Sequence, residues 1–168
     1  MKKSVLLVII SIVMIGSSLT GQDTLKSIKL SEIWKEYKFM AKSVRGVNSL
    51  SNGKEYTMIK KGSIVVYDYK TGDSVTTLVN KNDLIPEGSD KPIRIGSFGM
   101  NQDENQFLFP TKTEPIYRHS SKSDFFVWNV NDKKLKQLSQ GGKQSLADFS
   151  PQSDKVAFVR DNNIFIVD

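Results

Sequence analysis

The chain has no cysteine. Disulfides and lipid attachment at a cysteine are therefore excluded, and an exported form must hold together by its core alone. It has one histidine, His119, and no His-Glu-x-x-His, so a zinc site is not expected. There is no phosphate-binding glycine loop and no Gly-x-Ser-x-Gly elbow; Gly96-Ser97-Phe98-Gly99 has the wrong spacing. His119 could join a Ser-His-Asp triad only if a serine sat in a strained strand-to-helix turn, and no serine does. These gaps argue against catalysis by these residues alone and leave no cofactor to expect. The longest apolar run, Val5 to Ile15, is about 11 residues, short of the roughly 20 that span a bilayer.

That run has a different use. Lys2-Lys3 precedes it and the small, polar Gly16–Gly21 stretch follows it, the three-part build of a secretory signal. Residues 1–21 read as a signal peptide, with cleavage between Ser18 and Gln22, and the alternative is an uncleaved N-terminal anchor. Removing them takes away two lysines and no acid, lowering the net charge from +6 to +4. A mild basic excess with no nucleic-acid motif gives no support to DNA or RNA binding.

What is present is a repeat. Ile64-Val65-Val66-Tyr67-Asp68 recurs as Ile164-Phe165-Ile166-Val167-Asp168, with Phe126-Val127-Trp128-Asn129 as a cousin between them. Repeats of roughly 40–50 residues built of short strands point to propeller blades. In the first unit, turns at Asn52-Gly53, Lys61-Gly62 and Thr71-Gly72 separate a first strand around Ser49-Leu50 from Tyr56–Ile59, Ile64–Tyr69 and Ser74–Val79, a four-stranded meander. The second unit runs from Ile95 to Leu138 and carries an insertion, Pro110 to Ser123. The third begins near Phe149, 49 residues after Met100. Residues 80–94 read as a polar connector. Ile64–Tyr67, Phe125–Trp128 and Val156–Val159 are apolar on both alternating faces, as in sheets covered on both sides.

The expected fold is therefore all-β: a partial β-propeller of about two and a half four-stranded antiparallel blades over residues 22–168, with an aligned β-sandwich as the alternative. A short helix is expected near residues 30–36, where Leu30, Ile33, Trp34 and Tyr37 share one face and Trp34 anchors the core.

The insertion is the candidate site. Thr113–Ser120 gathers ionisable and aromatic groups in an excursion from a repeat, where binding groups are commonly carried. Arg118 offers a planar fork of donors for carbonyl or carboxylate oxygens. The plainer alternative is that it pairs with a local acid such as Glu114.

From about Thr24 to Asp168 the chain resembles the beginning of a dipeptidyl-peptidase-IV-type prolyl peptidase. The residues that carry the likeness are Leu30–Trp34, Thr113–Ser120, Asp124–Leu138 and Phe149-Ser150-Pro151 through Val156–Phe165. Trp128 departs from it, standing where tyrosine or isoleucine is commoner. The resemblance implies a secreted serine-type hydrolase whose N-terminal propeller guards a C-terminal α/β-hydrolase domain. The whole enzyme removes Xaa-Pro or Xaa-Ala dipeptides from peptide N-termini. It further implies that Arg118 contacts a substrate oxygen, while a glutamate pair gripping the substrate amine, and the hydrolase domain itself, are expected beyond Asp168. The implied partners are a peptide substrate, bound through the full-length enzyme, and that hydrolase domain; a homodimer is a further partner state. The alternative of another class is a standalone propeller-repeat binding or scaffold module.

Overall fold

The computed structural model describes residues 27–41, 43–44 and 46–168. The signal segment lies outside the described residues. Among them, no helix is long and apolar enough to cross a membrane. Two compact units divide between Ser43 and Val44.

In the first unit, α1 (Leu30–Trp34) is shorter than expected. Its apolar face does not form a core anchor: Trp34 and Leu30 are each 70% exposed, and the buried residue is Glu32. The reason is length. Five residues make less than one and a half turns, and Tyr37, needed to complete the stripe, lies past the helix end at φ 48. Glu32 turns back to accept from the Lys29 backbone N–H at 3.0 Å and from Lys38 Nζ at 2.7 Å.

The second unit contains three antiparallel sheets, each a meander of consecutive strands. The first holds β1 (Asn48–Ser49), β2 (Glu55–Lys60), β3 (Ser63–Asp68) and β4 (Ser74–Val79). The second holds β5 (Gly99–Met100), β6 (Gln106–Tyr117), β7 (Ser120–Asn129) and β8 (Lys134–Gln137). The third holds β9 (Ser145–Phe149), β10 (Val156–Arg160) and β11 (Asn163–Val167). The repeated apolar motif falls on β3, β7 and β11, the third strand of every sheet.

The turn between first and second strands recurs as well. Leu50, Asn101 and Ser150 each donate a backbone N–H to the carbonyl five residues on, at 3.0, 3.1 and 2.8 Å. Three residues after each of them comes a left-handed residue, Gly53, Glu104 and Ser153, at φ 65, 58 and 63. Asn52 therefore does not supply a second positive φ. Its side chain instead accepts from the Lys54 and Glu55 N–H groups at 2.9 and 3.1 Å. Asn101 and Ser150 do the same service in their turns.

Two cores lie on opposite faces of the middle sheet. Phe107, Phe109, Phe126 and Trp128 point one way and pack with Ile64 and Val79 of the first sheet, with Leu84 of the connector and with Ile95 just after it. Leu108, Phe125 and Val127 point the other way, onto Val156, Phe158 and Phe165 of the third. The register agrees: Phe107 opposes Trp128, Leu108 opposes Val127 and Phe109 opposes Phe126. Three sheets stacked in chain order form, not the two-sheet sandwich.

Candidate functional site

The stretch read as an insertion is not a loop. It is a continuation of the β6–β7 ladder, which runs through Glu114↔Lys122 and Pro115↔Ser121 to Tyr117↔Ser120. Proline is tolerated in the middle of β6 because β5 pairs only with Phe107 and Leu108, leaving the outer edge beyond them open. The register slips between Thr111 and Glu114. Lys112 takes up the extra residue in the left-handed region at φ 47. Such a bulge bends a hairpin and re-aims what lies beyond it.

The base of this arm is fastened on polar contacts. Thr111 Oγ1 donates to the Asp124 carbonyl at 2.9 Å, and the Thr113 and Ser123 hydroxyls meet at 2.8 Å. Ser123 and Gln144 exchange backbone hydrogen bonds, both 2.8 Å, which ties the arm to the strand leading into the third sheet. Gln144 is fully buried; its Oε1 accepts from the Phe125 N–H at 3.2 Å, and its Nε2 donates to the Gly142 carbonyl. Ser145 Oγ reaches the Ser121 carbonyl at 2.9 Å.

Arg118 and His119 form the two-residue turn at the tip, both exposed. The local pairing of Arg118 with Glu114 is not what forms. Glu114 pairs with Lys143 at 2.8 Å and Lys122 at 3.6 Å. The Lys143 hydrogen bond and charge, with Lys122 adding to them, hold the Glu114 carboxyl below its usual range. Among the described residues Arg118 has no ion-pair partner, and the residue is exposed.

Lys143 and Gln144 were not singled out by sequence. Gly141-Gly142 marks a turn before a strand, but nothing local says that this turn meets an arm some 30 residues away. Among the described residues no acid, histidine or cysteine cluster could hold a metal.

Residues 101–168 match the family described as the dipeptidyl peptidase IV (DPP IV) N-terminal region. The chain is 36% identical to, and superposes with a TM-score of 0.66 on, the crystal structure of Porphyromonas gingivalis dipeptidyl peptidase 4, covering 84% of this chain and 20% of that one. Among curated proteins it is 29% identical over 126 residues to a probable dipeptidyl peptidase 4 of Aspergillus fumigatus, covering 74% of this chain and 15% of the relative. It is 36% identical over 92 residues to a probable dipeptidyl-aminopeptidase B of Grosmannia clavigera, covering 53% and 9%. The chain thus spans a fifth or less of the length of each.

Proposed function

We propose, from the chain's membership of the dipeptidyl-peptidase-IV-type family, whose N-terminal region it carries, that it is the substrate-gripping propeller segment of an exported serine-type dipeptidyl peptidase. The three consecutive meanders are then successive blades, the third with three of its strands. Arg118 presents its guanidinium to a backbone carbonyl or carboxylate oxygen near the N-terminus of the peptide. Residues outside this chain supply the amine grip and the nucleophile. The whole enzyme hydrolyses after a proline or alanine in second position, by acyl transfer through serine.

One observation carries this reading. Arg118 sits exposed at the tip of an arm within the family-matched stretch, and its nearest acid in sequence is already engaged by two lysines. An arginine kept free of local acids has its fork available for a ligand.

The test is calorimetric titration of the chain with the tripeptide Ala-Pro-Ala. Arg118→Ala is expected to weaken binding about tenfold or more, the loss of a charge-assisted hydrogen bond. Arg118→Lys keeps the charge but not the planar fork and recovers only part of it. Equal affinity in the parent and in Arg118→Ala would remove Arg118 from the grip. The chain by itself is expected to release no chromophore from an Xaa-Pro anilide, and turnover by the pure chain would overturn the non-catalytic assignment.

A further inference from the structure

The arm that carries Arg118 belongs to the middle sheet, yet side chains from the turn before β9 of the third also anchor it. Lys143 Nζ donates to the carbonyl of Lys112, the left-handed bulge residue. The same ammonium pairs with Glu114 Oε1 at 2.8 Å. One cation therefore spans the bulge, holding its carbonyl on one side and a carboxylate just beyond it on the other. Its side chain is only 20% exposed, whereas the other lysines around the arm, Lys112 and Lys122, are 79% and 48% exposed.

The turn presenting Lys143 is itself held from two sides. Behind it, the buried Gln144 is bonded to the backbone of β7. On the other side, the Arg160 guanidinium lies over the Phe165 ring at 4.4 Å and donates to Ser139 Oγ. Gly141 is the residue that lets this happen: a Cβ there would come within 2.5 Å of Arg160 Nη1. Phe158 and Phe165, stacked at 5.4 Å in the second core, thus support Arg160, and Arg160 supports the turn.

We infer that Lys143 is a positioning residue that clasps the bent arm through the Lys112 carbonyl and the Glu114 carboxylate, fixing the direction in which Arg118 is presented. The clasp stands on contacts independent of any ligand; its bearing on peptide binding rests on the role proposed above for Arg118. A bulge leaves a ladder locally unpaired. Beyond the Ser123–Gln144 bridge the arm has only two strands, and an isolated two-stranded ribbon is marginal in water. Without a cross-sheet tie at the bend, the tip samples many directions. With it, the ordering cost is met before a ligand arrives.

The experiment uses the natural absence of cysteine. Ser120→Cys beside the tip and Gln152→Cys in the turn between β9 and β10 accept nitroxide labels, and pulsed electron spin resonance reads the distribution of distances between them. The parent is expected to give a narrow distribution, Lys143→Met a broad one, and Lys143→Arg a narrow one again. An unchanged width in Lys143→Met overturns the clasp. Should that variant fail to fold, Glu114→Gln decides: its carboxylate is half exposed, and broadening supports the clasp while an unchanged width rejects it.

Titration of the same proteins with Ala-Pro-Ala separates the two readings. Lys143→Met should bind about fivefold more weakly, as when the competent orientation falls to roughly one fifth of the population. Lys143→Arg should restore affinity. A broadened arm with unchanged affinity upholds the clasp and removes Arg118 from peptide binding.

Discussion

Glu114 couples the arm to pH. It faces Lys143 from the turn before β9 and Lys122 across on β7, with the Lys112–Asp124 pair, 3.6 Å apart, at the bend. Its folded pKa lies below the ordinary value of 4.5, chiefly through the Lys143 hydrogen bond and charge. A depressed carboxyl contributes to the fold above its ordinary value and loses that contribution as pH falls through the lowered one. The labelled chain should therefore keep a narrow distance distribution from neutrality to about pH 4.5 and broaden below it. In Glu114→Gln the width should not respond over that range, which separates Glu114 from the other acids titrating there.

Trp128 sets a second residue-scale expectation. It is 2% exposed in the first core, and among the described residues its indole N–H has no acceptor. A buried donor left unpaired costs about 1–3 kcal/mol. Trp128→Phe removes that donor along with some volume, and should cost less than about 2 kcal/mol in urea unfolding. Trp128→Ala leaves a large cavity and should cost about 3–5 kcal/mol. Equal losses in the two variants would mean that the indole N–H finds a partner in solution.

Turn chemistry governs the elements, and it was unevenly legible in the sequence. Lys61-Gly62 reads as a hairpin turn and is one, both residues having positive φ, at 53 and 86. Asp161-Asn162 likewise closes β10 onto β11, at φ 50 and 60. The insertion was legible but its form as a strand pair was not, because Pro110, Pro115 and the charged residues between them break the strand pattern. Only the open edge of β6 lets a proline stay in the ladder. The helix was found where its 3.6-residue period placed it, but its length and the core role of Trp34 were not legible, since the backbone leaves the helix before the stripe closes. Between β7 and β8 sits a non-glycine residue that turn chemistry would replace. Lys133 is exposed and at φ 50. Lys133→Gly should relieve steric strain worth about 1 kcal/mol, less its own chain entropy. A rise of up to about 0.5 kcal/mol in urea unfolding is the expected result. A loss would mean that the lysine side chain contributes more there than its backbone costs.

At the scale of the whole molecule, the doubly apolar strands predicted covered sheets, but among the described residues only the middle sheet has both faces covered. The sequence pattern records that a face is meant to be buried; which surface buries it is a matter of neighbours in space. On the first sheet the uncovered face carries Tyr56, stacked on Tyr67 at 5.4 Å, with Tyr69 beside it. These hydroxyl-bearing rings tolerate water. The third sheet has no such compromise. Val159 opposes Ile164 and Ala157 opposes Ile166 on its outer face, and Ile164 and Ile166 are 77% and 66% exposed. Contiguous apolar surface of this kind drives association. The chain should self-associate with rising concentration in sedimentation velocity. Ile164→Lys combined with Ile166→Lys should suppress this with a stability change of about 0.5 kcal/mol or less per site, because neither side chain is buried. If the double variant associates as the parent does, the adhesive surface lies elsewhere. The tyrosine face of the first sheet is then the next to charge, by Tyr69→Lys, the most exposed of its three rings.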